Sequence, residues 1–243
     1  MTDEAIPAAT LIVVRDRAGT APELLIVERA GGMAFAAGAL VFPGGRIDAA
    51  DRELGGDDSA KTAAIRETIE ETAVPVGIEP LPDSDQAAAL QAALVAGRSF
   101  TDILRDNGLT LESSALTPFA RWVPKFHAVR RFDTMFYIAL APDGEWQPRV
   151  IEGECSDAYW LSAQAVLDME KTGNARLIFP TRRTLERLAQ HNSFDAIRAD
   201  TLAHPIEPVT PWLEHRGDEQ YIRIPDHLGY PVTAELFEGQ WRG

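Results

Sequence analysis

Glu67, Glu70 and Glu71 place three carboxylates within five positions, in the run Arg66-Glu67-Thr68-Ile69-Glu70-Glu71. At i, i+3 and i+4 they share one face of a helix, where like charges repel by roughly a few tenths of a kcal/mol per pair. A hard divalent cation reverses the sign of that interaction. Mg²⁺ and Mn²⁺ take oxygen ligands and bridge carboxylates to substrate phosphates, so these residue types at this spacing point to metal-assisted phosphate chemistry. The plainer reading of the same residues is a solvated acidic helix face.

For the carboxylates to act together they need a helix, and residues 60–72 read as one. Upstream, residues 39–42 form a short strand that delivers Phe42-Pro43-Gly44-Gly45-Arg46-Ile47-Asp48, a strand end running into a Gly-Gly turn. Residues 10–15 and 23–28 are apolar, β-branched runs separated by Arg17-Ala18-Gly19-Thr20, which predicts an antiparallel hairpin. After the acidic helix, Pro75, Pro80 and Pro82 break the pattern. Two helices follow, over 85–96 and 100–106, within a helical insert spanning about residues 83–117. Strand character returns at 120–126 and 134–140, then the turn Pro142-Asp143-Gly144 and a strand at 159–161. Ser162 caps a helix over 163–172, and Pro180 opens another that runs to 189–191. Residues 205–243 are a Pro-rich C-terminal extension with one last strand at 221–224. The whole chain, 1–243, is expected to form one domain.

The segment from Gly45 to Ala73 resembles the Nudix box, GX5EX7REUXEEXGU with U a bulky apolar residue, the signature of the Nudix hydrolases. Gly45 matches the leading Gly, Asp51 stands where the first Glu is expected, and Arg66, Glu67, Glu70 and Glu71 match the REUXEE core. Three departures are visible. Asp51 replaces a Glu, about seven residues, roughly 52–58, lengthen the loop, and Thr68 and Ala73 replace an apolar residue and the closing Gly. None of these touches the metal-binding carboxylates. The resemblance implies an α/β fold, an α/β/α sandwich with a mixed sheet and a helical insert. It also implies that Glu67 and Glu71 are metal ligands, Glu70 a ligand or its neighbour, and the Gly44 carbonyl a further ligand, with Mg²⁺ or Mn²⁺ as the ion. Arg66 would orient the glutamates, and Asp51 would stand behind them. In this family a downstream Glu often precedes a Trp-containing strand; Glu154, six residues before Trp160, fits that layout, with Glu152 as the alternative. His127 is a weaker candidate for the base.

Segments 34–48 and 130–134 most resemble the branch that includes acyl-coenzyme A diphosphatases. What that implies is a hydrolase that cleaves the diphosphate of coenzyme A or acyl-CoA. ADP-ribose or another nucleotide sugar is the alternative within the enzyme class. A catalytically dead Nudix domain acting as a ligand-binding regulator is the alternative outside it, and such domains usually lose one of the carboxylates that this chain retains. Arg46, Arg130 and Arg131 are the candidates for binding phosphates bidentately. Phe100, Ile103 and Leu104 of the insert are expected to line a groove for a pantetheine arm, unless these helices only cover the sheet.

Composition agrees. With 45% apolar residues over 243 positions the chain can bury a substantial core. A net charge of −14 argues against nucleic acid or an anionic membrane surface as partner, because no Lys/Arg cluster exceeds the pairs Arg130-Arg131 and Arg182-Arg183. The expected partner is a small nucleoside diphosphate derivative, and the extension and insert could support a homodimer. Cys155 is the only cysteine, which excludes an internal disulfide and a thiolate zinc site; it reads as buried or incidental rather than nucleophilic. The first residues, Met1-Thr2-Asp3-Glu4, carry no basic stretch or long apolar run, and Gln240-Trp241-Arg242-Gly243 carries no sorting address, so a cytoplasmic location is expected.

Overall fold

Along Ile6–Arg15 six of the ten side chains are apolar and buried, with Ala9, Leu11, Ile12, Val13 and Val14 at 0% exposure. A strand whose alternate residues are all apolar must be covered on both faces. The structure, a computed structural model, describes residues 5–31, 36–123, 131–151, 153 and 155–237. In it this strand, β1, is the centre of a mixed sheet. The other elements, in chain order, are β2 (Glu23–Arg29), β3 (Leu40–Val41), β4 (Gly44–Arg46), α1 (Ala49–Gly55), α2 (Ser59–Thr72), β5 (Ile78–Glu79), α3 (Ser84–Val95), α4 (Phe100–Asp106), β6 (Thr110–Leu111), β7 (Thr117–Trp122), β8 (Phe132–Leu140), β9 (Cys155–Ser162), α5 (Ala163–Lys171), α6 (Phe179–Leu188), α7 (Phe194–Ala203), β10 (Pro208–Val209), β11 (Trp212–Arg216), β12 (Glu219–Arg223) and β13 (Ala234–Leu236).

The main sheet runs β10-β7-β8-β1-β2-β3, with β4 also paired to β1 and β9 to β2. β1 lies parallel to β8 over Ile6 to Val14 and antiparallel to both β2 and β4. Pleating then divides β1 between two layers. Ala9, Leu11 and Val13 join Ala63, Ala64, Ile65 and Ile69 of α2 and the apolar residues of α3 and α4 in one cluster. Ile12 and Val14 join Val166 and Leu167 of α5, Leu185 and Leu188 of α6 and Ile197 of α7 in the other. The architecture is the expected α/β/α sandwich.

Three local expectations are corrected and one element is added. The Gly-Gly turn is a strand, β4, because β1 offers its backbone there: Thr10, Ala9 and Ala8 pair with Gly44, Gly45 and Arg46. The lengthened loop is mostly helical, as α1 followed by a 3-10 turn over Gly56–Asp58. The helix expected after Pro180 is α6, ending at Leu188, and a further helix that was not expected, α7, starts after Ser193, whose hydroxyl accepts the Ala196 N–H at 3.2 Å. Beyond residue 205, where one strand is expected, β10 adds to the main sheet, and β11, β12 and β13 form a second, antiparallel sheet. Ile222, Ile224, Leu228 and Tyr230 from this region pack into the α5-α6 cluster.

The insert is corrected in function as well as in detail. Phe100, Ile103 and Leu104 are 3%, 0% and 4% exposed and sit in the α2 layer of the core, so they do not line a groove. Ile103→Ala is therefore expected to cost about 2–5 kcal/mol of stability. Denaturant unfolding checks the loss, and a substrate KM within twofold of wild type in the folded variant checks that no binding surface was removed.

Candidate functional site

Helix α2 presents its apolar stripe to the sheet and its acidic stripe to β4 and α1. The departures from the box pattern are absorbed locally. Thr68, at 0% exposure where an apolar residue is usual, satisfies its hydroxyl by donating to the Ala64 carbonyl at 2.7 Å. Ala73 ends the helix at φ 58°, the left-handed conformation that a Gly adopts without strain, and its N–H still closes onto the Ile69 carbonyl at 2.8 Å.

The two glycines of β4 are required for contact. A Cβ on Gly44 would lie 2.5 Å from the Ala9 carbonyl oxygen and 2.7 Å from Thr10 Cα, both backbone atoms. A Cβ on Gly45 would collide with the Glu67 carboxylate. The absence of both side chains lets the acidic stripe of α2 close directly onto β4.

Arg66 holds that stripe together. Its Nε and Nη2 donate to the two oxygens of Asp51 at 2.9 Å each, a bidentate pair in which Asp51 is 1% exposed. Nη1 lies 2.9 Å from Glu67 and donates to Glu70 at 3.3 Å, and Nη2 also reaches the Arg46 carbonyl at 3.2 Å. Burial alone would lower the pKa of Arg66, but Asp51 and Glu67 outweigh it and hold the guanidinium firmly charged. Asp51 in turn accepts the Asp48 N–H at 2.9 Å, fixing the start of α1. Asp51 thus works with α1 as its platform.

Glu71 is the buried member of the triad, at 7% exposure. One oxygen accepts the Gly44 N–H at 3.0 Å and the other receives the Cys155 thiol at 3.5 Å. Desolvation, reinforced by the negative charge of Glu67, pushes its pKa up to about 8, against the smaller opposing pull of Gly44, Cys155 and Arg29. Cys155 is buried, as expected, but it is not incidental, since it touches a carboxylate of the acidic stripe.

The structure therefore brings together Gly44, Arg66, Glu67, Glu70 and Glu71. Arg46 is exposed at the edge of this group, one pair from Gly45 in the β4 register. Arg131 is half-buried at the same end of the sheet, where its carbonyl accepts the Ile6 N–H at 2.7 Å. Arg130, Glu154, the alternative Glu152 and His127 lie outside the described residues. Sequence reasoning passed over Gln91, whose buried carboxamide donates to the Glu70 carbonyl at 3.1 Å and the Arg149 carbonyl at 2.7 Å. A Gln on the apolar face of a helix was the available signal.

Whether a divalent cation suits this group can be judged from the donors. Glu71 is a buried carboxylate, further destabilised as an anion by Glu67, and its contacts are a peptide N–H and a thiol. Hard oxygen donors of this kind match Mg²⁺ or Mn²⁺. Among the described residues no three His, Cys, Asp or Glu side chains are already gathered around one point. Glu67 and Glu70 are turned to Arg66, and the fit is one of donor type and electrostatics.

The chain is similar to known proteins. The NUDIX domain family matches residues 5–96. A protein of Caenorhabditis elegans named putative nudix hydrolase 7 is 28% identical over 181 residues, covering 72% of this chain and 59% of its own length. This chain therefore spans about 59% of that curated relative. The crystal structure of a NUDIX hydrolase from Alicyclobacillus acidocaldarius superposes with a TM-score of 0.70 at 28% identity, covering 80% of this chain and 96% of that one. No helix among the described residues is long and apolar enough to cross a membrane.

The raised pKa of Glu71 fixes a pH dependence. Folded protein binds a proton at Glu71 up to about pH 8, whereas the unfolded chain releases it near the ordinary Glu value. Between those limits the native state holds more protons than the unfolded state, so stability falls as pH rises through the window. In the metal-free protein, the melting temperature of wild type should drop more steeply from pH 5 to 8 than that of Glu71→Gln. Parallel curves for the two proteins would contradict the assignment.

Proposed function

We propose that the chain is a Nudix-type, divalent-metal-dependent hydrolase of the phosphoanhydride bond in a nucleoside diphosphate linked to another moiety, a reading supported by the match of residues 5–96 to the NUDIX domain family. The observation that carries this reading is the acidic face of α2, with Glu71 buried beside Glu67 and Arg66 committed to Asp51, Glu67 and Glu70. Three carboxylates that were needed only for solubility would point to water.

Glu67 and Glu71, with Glu70 beside them and the Gly44 carbonyl, would hold Mg²⁺ or Mn²⁺. Such an ion supplies neutralisation of phosphate charge and lowers the pKa of an attacking water. Arg66 keeps Glu67 and Glu70 on one face, and Asp51 fixes Arg66 in turn. Glu154 is proposed as the downstream ligand or general base, with Glu152 as its alternate; Glu154 is the covalent neighbour of Cys155, which contacts Glu71. Arg46, Arg130 and Arg131 would take the substrate phosphates, positioning the diphosphate for in-line attack. Arg46 and Arg131 are supported by their place at the β4 and β8 ends that flank β1.

The substrate proposed is coenzyme A or an acyl-CoA, on the resemblance of segments 34–48 and 130–134. The burial of Phe100, Ile103 and Leu104 removes the apolar groove as an argument for it. A hydrolysis screen with Mg²⁺ over CoA, acyl-CoA, ADP-ribose, NADH and diadenosine polyphosphates tests the choice. Cleavage of CoA must yield adenosine 3′,5′-bisphosphate and phosphopantetheine, whereas ADP-ribose yields AMP and ribose 5-phosphate. Turnover of ADP-ribose with none of CoA would replace the substrate and keep the hydrolase. The one-domain reading of 1–243 and a cytoplasmic homodimer belong to the same proposal, and light scattering on the purified chain addresses the dimer.

Glu71→Gln is expected to lower kcat by ~10²–10³, the scale seen when one preorganised electrostatic group is removed, with the circular dichroism of wild type retained. Wild-type turnover in Glu71→Gln would exclude the site. Mg²⁺ or Mn²⁺ should also raise the melting temperature of wild type more than that of Glu67→Gln/Glu71→Gln, because an ion that binds only the folded state stabilises it by mass action. Equal shifts in calorimetry would exclude metal binding at these residues.

A further inference from the structure

Strand β9 pairs with β2 from Ser162 opposite Glu23 to Asp157 opposite Glu28, and then the ladder slips: Arg29 stands opposite Cys155, and Ser156 is passed over. The hydroxyl of Ser156 donates to the Glu28 carbonyl at 3.4 Å and holds the extra residue in place. Side chains alternate along a strand, so a slip of one residue moves everything beyond it to the other face. In a regular ladder Ser156 would stand opposite Arg29 on the α2 side of the sheet, and Cys155 would turn to the opposite side. The bulge instead puts Cys155 on the face of Val27 and Ala158, where its thiol reaches Glu71 Oε1 at 3.5 Å.

What surrounds the thiol is mostly apolar. Val27, Ala36, Ala39 and Val41 form a small buried cluster with Cys155, which is itself 4% exposed. Glu71, at 7% exposure, meets this cluster at Cys155, and its other oxygen accepts the Gly44 N–H at 3.0 Å. A donor is thus provided for each oxygen, one from β4 and one from β9. Each carboxylate oxygen accepts at two lone-pair sites, so one donor apiece orients Glu71 and leaves room for a cation. Alanine at position 155 would pack but could not donate, and serine would donate but bury a hydroxyl among methyl groups. A thiol packs as a small hydrophobe and keeps an S–H donor.

We propose that Cys155 is a positioning residue, presented by the bulge in β9 so that its thiol and the Gly44 N–H hold the two oxygens of Glu71 in the orientation that receives a divalent cation. The proposal rests on the metal-dependent hydrolase reading above. It gives the one cysteine of the chain a role without thiol chemistry and without contact with substrate.

The test measures Mn²⁺ affinity by titration calorimetry in Cys155→Ala, Cys155→Val and Cys155→Ser, with the metal-free melting temperature of each. Ala and Val lack the donor and should bind Mn²⁺ about tenfold more weakly than wild type, as for loss of a partner behind a metal ligand. Ser keeps a donor and should stay within about threefold of wild type, although its buried hydroxyl lowers the melting temperature. A packing role reverses that order, with Val binding as wild type and Ser weakest. The reversed order overturns the proposal, as do Ala and Val both within about twofold of wild type. Should one of the donor-free variants fail to fold, the other carries the comparison. A metal-free arm reads the contact itself: with a single cysteine the infrared S–H stretching band has one source, and it should lie at lower frequency in wild type than in Glu71→Ala. Equal frequencies overturn the contact and the proposal with it. A wild type that binds neither Mn²⁺ nor Mg²⁺ overturns the metal reading, and the positioning role falls with it, whatever the band shows.

Discussion

A guanidinium at 12% side-chain exposure sits among four acids, with Asp51 at 1%, Glu67 at 14% and Glu70 at 33% all within salt-bridge distance and Asp48 at its limit of 4.0 Å. The buried, bidentate Arg66-Asp51 pair is the constraint on which the rest of the site depends. A buried ion pair gains little net stability over an apolar pair of the same shape, because desolvation offsets attraction. What it supplies is position. If Asp51 is removed, Arg66 loses its buried bidentate partner and is held only by Glu67 and Glu70 among the contacts described above. If Arg66 is removed, Asp51 is stranded at 1% exposure and Glu67 and Glu70 repel unopposed. Helix α1 carries Asp51 to Arg66, and Asp51 itself accepts the Asp48 N–H at the start of that helix.

The second constraint is the division of β1. One edge of that strand takes β8 in parallel along its whole length, while the other takes β4 near its start and β2 near its end. This places Gly44, Gly45 and Arg46 opposite Thr10, Ala9 and Ala8, so that the glycine pair meets α2, which the other residues of β1 hold against the same sheet. The site is therefore assembled from a strand and a helix that share one core, and rigid elements of this kind hold side chains more closely than loops do.

What could be read from the sequence and what could not divides along physical lines. The α2 stripe was legible because helical spacing and carboxylate chemistry coincide in one short run, and β1, β2 and β8 because β-branched runs report burial directly. The strand β4 was not legible: Gly-Gly carries no strand propensity, and only the free edge of β1 makes it one. Residues beyond 205 were misread because Pro suppresses strand propensity, yet Pro208 lies in β10 at the edge of the main sheet, where a missing N–H costs nothing. Helix α4 shows a different ambiguity. An amphipathic face at Phe100, Ile103 and Leu104 is equally suited to a ligand groove and to a core, and only the packing against α2 decides between them. Arg182 and Arg183 are bonded to Glu170, Glu186 and Glu235, so an Arg pair in sequence is no guide to a free basic surface.

The direction of α2 sharpens the electrostatic case. Glu70 and Glu71 fall in its last turn, which contains no basic residue. A helix C-terminus carries the negative end of the backbone dipole, so acids there are disfavoured and cations favoured. The sequence has thus placed its most crowded carboxylates at the end of the helix that tolerates them least, and has buried one of them. Each choice opposes local stability, and they coincide at the junction of β4, α2 and the β8–β9 connection. Local conflict of this sort in an otherwise consistent fold is the mark of a functional position. A divalent cation at that junction would answer all three conflicts at once: the repulsion between the glutamates, the desolvation of Glu71 and the unopposed dipole of α2.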